Sequence, residues 1–490
     1  LRKPPAEWAF LTTDSINTLD PLLDAYDQSV VRDYDENGEY RGSLSHILRV
    51  FLIDRELRIR NVYTVSYLHA DTLLADIETV LLDEVPSDAV VSAGGSGAGP
   101  SLHGAGDAKD GYEDEHYETR SKRLRSRPGA EADLLALVRR TPLGLPEVDT
   151  AGMTRETIAL GRKLFFDRRL SRNGTFSCAM CHVPEQGFAN NELATAVGIE
   201  GRTVRRNSPT IYNVAHAKLL FHDGRENRLE QQIWGPLLAS NEMGNPSVGF
   251  VIDTIRSQAD YDGLFEKAFD GRGPSMETVG GAIAAYERAL VSGNSAFDRW
   301  RFEGEEGVLS ESARRGFGLF TGEAGCSGCH SIEAKHATFS DDLLHNTGVG
   351  YRQTMRKTPP QQEVHVAPGR RLKIDTASIA GSSEKPPSDI GRYEISEDPA
   401  DRWKYKTPTL RNVALTAPYM HDGSIATLRG VVEFYVNGGV RNPELDPAIV
   451  PLDLDDGQID DLVSFLESLT GDNVDTLIAD AFAAPVGEPR

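Results

Sequence analysis

Cys178-Ala-Met-Cys181-His182 and Cys326-Ser-Gly-Cys329-His330 are two copies of one five-residue pattern, and together they use every cysteine of the 490-residue chain. Cys-x-x-Cys alone also serves zinc sites and redox dithiols. A histidine directly after the second cysteine narrows the chemistry, because two thiols add across the vinyl groups of a haem while the adjacent imidazole ligates its iron. The spacing therefore predicts two covalently bound haem c groups, one at Cys178/Cys181/His182 and one at Cys326/Cys329/His330. Haem attachment of this kind takes place outside the bacterial cytoplasm, so the expected location is the periplasm.

Helical apolar periods surround the motifs from about Ala132 onward. Gly161-Arg-Lys-Leu-Phe165 stands thirteen residues before Cys178 and Gly316-Phe-Gly-Leu-Phe320 six before Cys326, each closing a helix expected to start near Thr154 or Ser310. A glycine on such a helix admits a second helix at close range, and the phenylalanine can then close over a flat ligand. The expected fold class is mostly α: two cytochrome c-like haem domains in tandem, residues 131–300 and 301–490, separated internally by long loops at Asn241 to Gly249 and Gly350 to Arg392. Ahead of them, residues 1–84 read as a mixed α/β segment, with strands at His46 to Asp54 and Arg58 to Thr64 and a helical period from Asp71 to Leu82. Residues 85–130, rich in Gly, Ser, Asp and Glu, read as a flexible linker.

The net charge of −22 argues against a nucleic-acid partner, since binding phosphates takes a basic surface, and suits a basic protein partner instead. No apolar run approaches the ~18 residues that span a bilayer. Leu1-Arg-Lys-Pro-Pro5 lacks the apolar stretch of a signal peptide, so a mature or trimmed form is expected.

From about residue 140 to 470 the chain resembles the di-haem bacterial cytochrome c peroxidase superfamily and, within it, the MauG-like branch. The segments that carry the resemblance are Gly161-Arg-Lys-Leu-Phe-Phe-Asp167, Arg206-Asn-Ser-Pro-Thr210, Asp223-Gly-Arg225, Glu242-Met243, Thr407-Pro-Thr-Leu-Arg-Asn-Val413 and Ala417-Pro-Tyr-Met-His-Asp-Gly423. The resemblance implies that the N-terminal haem is the peroxide site, with Glu242 as catalytic carboxylate and Gln232 beside it. A carboxylate there can carry the proton from one peroxide oxygen to the other as the O–O bond breaks. No histidine lies in the loop Val183 to Arg205 that could close this iron, so a five-coordinate haem is expected. For the second haem the family position fourteen residues after His421 is Tyr435, which implies a His/Tyr-ligated iron, with Met420 as a competing ligand. A calcium ion between the haems would fall on Asn207, Thr416 and Pro418, whose oxygens suit it. Where the family has a tryptophan between the haems, this chain has His222, a side chain far harder to oxidise than an indole.

The function implied is oxidation of a partner by hydrogen peroxide. That partner is either a protein substrate, as in the MauG-like branch, or a small cytochrome or cupredoxin acting as donor; a non-catalytic electron-transfer cytochrome is the competing class. Trp8-Ala-Phe-Leu-Thr12 and Ser45 to Asp54 resemble the C-terminal half of a Sco-type copper chaperone of thioredoxin fold. The family's copper histidine would be His46. Its two copper cysteines have no counterpart here, so copper binding is expected to be weak, since a soft copper site wants thiolate.

Overall fold

The computed structural model describes residues 129–191, 193–355 and 389–484, together with the backbone of six strands between residues 30 and 375. The chain divides into two compact units, one of Leu1–Tyr117 with Thr358–Lys385 and one of Glu118–Lys357 with Pro386–Arg490.

In the first unit, β1 (Val30–Tyr34) pairs antiparallel with β2 (Tyr40–His46), and β3 (Arg49–Ile53) with β4 (Ile59–Thr64). The run expected as one strand from His46 to Asp54 is thus divided between two ladders: His46 faces Val30, whereas Arg49 faces Thr64. The helix expected over residues 71–82, the side chain of His46 and the segment 85–128 lie outside the described residues. The stretch from Gly350 to Arg392, expected as loop, contains a further hairpin, β6 (Gln361–Ala367) with β7 (Arg370–Asp375). Alternation in Glu363-Val-His-Val-Ala367 is the signal for it.

The second unit is helical and built twice over. Its principal helices are α1 (Leu134–Arg140), α2 (Arg155–Phe166), α3 (Leu229–Gln232), α4 (Met276–Ala289), α5 (Glu311–Thr321), α6 (Leu428–Val436), α7 (Asp456–Glu467) and α8 (Val474–Phe482). Side chains set their starts. Thr154 caps α2 and Ser275 caps α4, each in a reciprocal box with the residue three further on, and Ser310 accepts from the Ala313 amide at the start of α5. A short two-residue ladder joins β5 (Leu344–His345) to β8 (Tyr405–Lys406).

Two helix crossings organise the cores. A Cβ added to Gly161 would lie 1.9 Å from the Ala282 carbonyl oxygen and 2.9 Å from Tyr286 Cβ; one added to Gly316 would lie 1.9 Å from the Asp461 oxygen and 2.9 Å from Phe465 Cβ. Thus α2 crosses α4 in the first module as α5 crosses α7 in the second, with backbone in direct contact. Around the first crossing pack Leu164, Phe165, Phe188, Tyr212 and Tyr286; around the second, Phe297, Phe320, Phe339 and Phe465. The terminal helix α8 returns to the first core through Leu477 and Ala481, and Asp480 accepts from the Ala132 amide and from Arg162. Arg411, almost wholly buried, binds both carboxylate oxygens of Asp298 at 2.9 Å and donates to the carbonyls of Ala337 and Gly144, tying loops of both modules together.

Replacing Gly316 by Ala should force the two helices apart and cost about 1–3 kcal/mol, the range for overpacking a closed core. Thermal unfolding measures this; an unchanged midpoint would mean that the α5–α7 crossing is not in backbone contact.

Candidate haem sites and the groups between them

Each Cys-x-x-Cys-His motif is a single tight turn. The amides of Cys181 and His182 both donate to the Cys178 carbonyl, at 3.1 and 3.0 Å, and those of Cys329 and His330 both donate to the Cys326 carbonyl, at 3.3 and 3.0 Å. Such a turn brings two thiols and an imidazole to one side of the chain. All four cysteines are unbridged. Burial raises the Cys178 thiol to about 12 and the Cys326 thiol to about 11, so neither is the exposed, acidic thiol of a redox dithiol.

The imidazoles are oriented alike. His182 Nδ1 lies 3.1 Å from the Phe188 carbonyl and His330 Nδ1 2.8 Å from that of Phe339. A carbonyl can only accept, so Nδ1 carries the proton and Nε2 keeps its lone pair for a metal. Both phenylalanines take left-handed backbone, φ 50° and 53°, to present these carbonyls. The ring of Phe165 stands 6.4 Å from His182 and that of Phe320 6.4 Å from His330, tilted 47° and 43°. Thr210 Oγ1 donates to the Gly187 carbonyl at 2.6 Å, and Thr409 Oγ1 to that of Thr338 at 2.8 Å. Ser208-Pro-Thr-Ile-Tyr-Asn213 and Thr407-Pro-Thr-Leu-Arg-Asn412 are therefore copies of one support, and aligning them with each other in the sequence would have revealed it. The residues present fit two covalently held haems.

What faces each motif differs. In the first module the Glu242 carboxyl is raised above the usual range by burial, with Arg225 pulling the other way. Its charge in turn raises the thiols of both Cys178 and Cys181, which places it by the first motif. The Ile199 amide donates to the Glu242 carbonyl at 2.8 Å, and a Cβ on Gly198 would come within 2.2 Å of the Asn241 carbonyl, so only glycine lets these loops meet. Gln232 closes α3 half-buried, and among the described residues no hydrogen bond joins it to Glu242. In the second module Tyr435, one residue from the end of α6, has its phenol raised by burial and by the charges of Cys326 and Cys329, so it lies by the second motif. Cys329, Asp341 and His345 also form a cluster within 4.8 Å, but both His345 nitrogens already face carboxylates, Asp446 at 2.6 Å and Asp341 at 2.9 Å.

Between the modules, His222 Nε2 donates to the Asn207 carbonyl at 2.8 Å, and the Asn207 amide donates to the His421 carbonyl at 2.7 Å. The His222 carbonyl accepts from the Lys406 amide at 2.7 Å. The His421 ring stacks on Tyr405 at 3.6 Å and 11°. Arg206, which the sequence reading left without a role, grips Asp389 through Nε and Nη2 at 2.6 and 2.8 Å and Asp223 at 2.6 Å. Asp389 also accepts from the Tyr405 hydroxyl at 3.0 Å; burial pushes its carboxyl up, but the hydrogen bonds and charge of Arg206 outweigh that and hold it well below the usual range. Asn207 uses its side-chain nitrogen on the Ala194 carbonyl at 2.9 Å. Among the described residues no hydrogen bond reaches Asn207 Oδ1 or the Thr416 and Pro418 carbonyls.

Burial lowers His222 to about 4 and His421 to about 3, so both are neutral in the folded protein. The unfolded chain takes up a proton on each below about 6.5, so stability falls as pH drops from about 6.5 through these lower values. Thermal midpoints across that window should decline, and a His222→Asn, His421→Asn double variant should decline less steeply. An equal slope in both would mean that these imidazoles are already charged or solvated.

Comparison with known proteins agrees with this geometry. Residues 155–307 match the family model described as di-haem cytochrome c peroxidase. The methylamine utilization protein MauG of Methylorubrum extorquens is 35% identical over 345 residues, covering 69% of this chain and 86% of that protein. The cytochrome c551 peroxidase of Pseudomonas aeruginosa is 32% identical over 351 residues, covering 70% and 88%. A crystal structure of a MauG-like protein associated with microbial copper homeostasis superposes with a TM-score of 0.56 at 30% identity, covering 70% of this chain and 96% of that one.

Proposed function

Because the chain belongs to the di-haem cytochrome c peroxidase and MauG family, we propose that it is a periplasmic enzyme in which hydrogen peroxide reacts at the first haem module and the oxidising equivalents are used on a protein partner. The observation that carries this reading is the placement of Glu242: a half-buried carboxyl, raised above its usual range, by the first motif. The loop 183–205 offers no histidine to block the site. The two haems, when bound, supply the two-electron chemistry of peroxide cleavage.

The chain's own groups divide the remaining work. His182 and His330 present Nε2 to the irons, held by the Phe188 and Phe339 carbonyls. Glu242, as carboxylate, accepts a proton from one peroxide oxygen and returns it to the other so that water can leave, with Gln232 orienting the peroxide. Tyr435 would ligate the second iron; a phenolate there would favour ferric and higher states, which suits storing oxidising equivalents more than passing electrons at high potential. His222 lies between the modules as a hydrogen-bonding link, and its imidazole is a poor hole carrier. Asn207 Oδ1 and the Thr416 and Pro418 carbonyls would supply the oxygens for one Ca²⁺ joining the modules; metal analysis of the purified protein should find one calcium, absent in Asn207→Ala. Peroxide removal with electrons from a small cytochrome or cupredoxin is the reading that a Met-ligated second haem would favour, and position 435 is a tyrosine.

The similarity to a protein associated with copper homeostasis, with the Sco-like sequence at the N-terminus, favours a partner in copper handling. Copper-induced expression, or a co-purifying partner with an oxidised tryptophan, would support that partner class, and finding neither would remove it.

The deciding experiment is the electronic and EPR spectrum of the as-isolated ferric protein, followed by stoichiometric peroxide. One high-spin and one low-spin haem reacting promptly is the expected result; two low-spin haems inert to peroxide would overturn the reading. Glu242→Gln should slow the reaction by roughly 10²–10⁴-fold, the usual share of a general acid–base group. In the unaltered protein the rate should fall with acid through a pKa above that of an ordinary glutamate, and the variant should lose this limb. Tyr435→Phe should change the low-spin spectrum and leave the high-spin one.

A further inference from the structure

We infer that Trp300 is the station through which oxidising equivalents pass from the second haem module to an oxidisable partner at the protein surface. This rests on the peroxide reading above and adds the exit point.

A continuous file of aromatic rings leads there from the second motif. Phe320 stands 6.4 Å from the His330 imidazole and 4.9 Å from Phe465. From Phe465 the file branches to Phe297 at 5.5 Å and to Phe317 at 5.6 Å. Both branches converge on Trp300, at 6.3 Å from Phe297 and 5.3 Å from Phe317. Phe297, Phe320 and Phe465 are buried, whereas Trp300 is only partly so; the other described tryptophans, Trp234 and Trp403, are buried. Trp300 lies in a π-helical turn, Arg299–Glu303, ended by Gly304 at φ 73°. Turns of this kind are rare and occur often at functional sites. Here the turn sets both Trp300 and Phe302 against Phe297.

Indole is the most easily oxidised of these rings and phenyl far harder, so the phenylalanines form dense packing between two places where a hole can rest. The Arg314 guanidinium, 5.9 Å over the Trp300 ring, disfavours positive charge on the indole and so favours release of the N–H proton to water. Electrons balance as follows: hydrogen peroxide takes two electrons and two protons to give two waters. Trp300 supplies these electrons singly. At each passage it loses one electron inward and its N–H proton to water, then regains an electron and a proton from the partner side. The same rings are also the second core, which holds their spacing fixed.

The test uses the full-length holo-protein, stoichiometric hydrogen peroxide and no reductant, with freeze-quenched EPR and peptide mass spectrometry. Trp300→Phe should keep both haem spectra and the first reaction with peroxide, lose most of the organic-radical signal and the oxidised Trp300 peptide, and lengthen the life of the oxidised protein about tenfold, equivalent to about 1.4 kcal/mol in barrier. Trp403→Phe should change none of these. In the unaltered protein, ring-deuterated tryptophan should narrow the radical signal, and this measurement decides alone if the Trp300 variant loses its second haem. A radical of equal yield and lifetime in Trp300→Phe, or one indifferent to labelled tryptophan, overturns the inference while leaving the peroxide reading intact. A protein inert to peroxide overturns both.

Discussion

At Gly161 and Gly316 one helix lies with its backbone against a carbonyl oxygen of another, and any side chain there would occupy the space of Ala282 or Asp461. These two approaches fix where α2 and α5 run, and hence where Phe165 and Phe320, four residues on, stand over the two histidines. Each histidine then needs a proton acceptor at Nδ1, which Phe188 and Phe339 supply only by adopting left-handed backbone. Such a conformation costs on the order of 1 kcal/mol or more and persists because surrounding packing over-determines it. Here that packing is the pair of aromatic cores. The order of dependence runs from glycine to helix crossing to ring to imidazole, twice.

Apart from the apolar return of α8 to the first core, the loops of the two modules meet through polar and ionic contacts. Arg411 with Asp298, and Arg206 with Asp389 and Asp223, are buried pairs in which every guanidinium bond has a carboxylate or carbonyl partner at its end. Buried ion pairs add little net stability compared with apolar packing, but losing one partner leaves a charge without compensation. Their effect is to permit one arrangement of the modules. Asn207 sits inside that arrangement, accepting from His222 and donating to the His421 carbonyl, so the distance between the two sites is set by a few hydrogen bonds of fixed direction.

The two attachment motifs, the repeat built on Gly161 and Gly316, and the helix starts at Thr154 and Ser310 were legible because each rests on local chemistry: covalent spacing, glycine at a crossing, a hydroxyl cap. Glu242 and Tyr435 were reached through family resemblance, since nothing in a loop glutamate or a helical tyrosine announces its environment, and burial by the thiols exists only after folding. Arg206 meets Asp389 from 183 residues away and Tyr405 from further still, separations that leave no periodic trace. The division of His46 to Asp54 between two hairpins was hidden for a similar reason, because one apolar run can serve two ladders and register belongs to the partners. The return of α8 to the first core follows from Leu477 and Ala481 on an amphipathic helix, whose partner no sequence period identifies.

On the proposed reading, the repeat also explains how one architecture could hold two differently ligated irons. His222 and His421 occupy equivalent turns, marked by the bridges Leu220 to Glu226 and Tyr419 to Ile425. Fourteen residues beyond His421 stands Tyr435, near the end of the unbroken helix α6. Fourteen beyond His222 stands Pro236, in a helix that begins at Trp234 after α3 and stops at Leu238. Proline offers no ligand, the element is interrupted at Ile233, and after Leu238 the chain enters the turn that carries Glu242. The Met243 amide donates to the Pro236 carbonyl at 3.1 Å and the Glu242 amide to that of Ala239 at 3.0 Å, so the backbone of Glu242 is held against the end of that helix. An unbroken helix bearing a tyrosine in the second module, and an interrupted helix bearing a proline and followed by a glutamate turn in the first, are thus two versions of one element; on the proposed reading the first would close an iron while the second leaves room for peroxide.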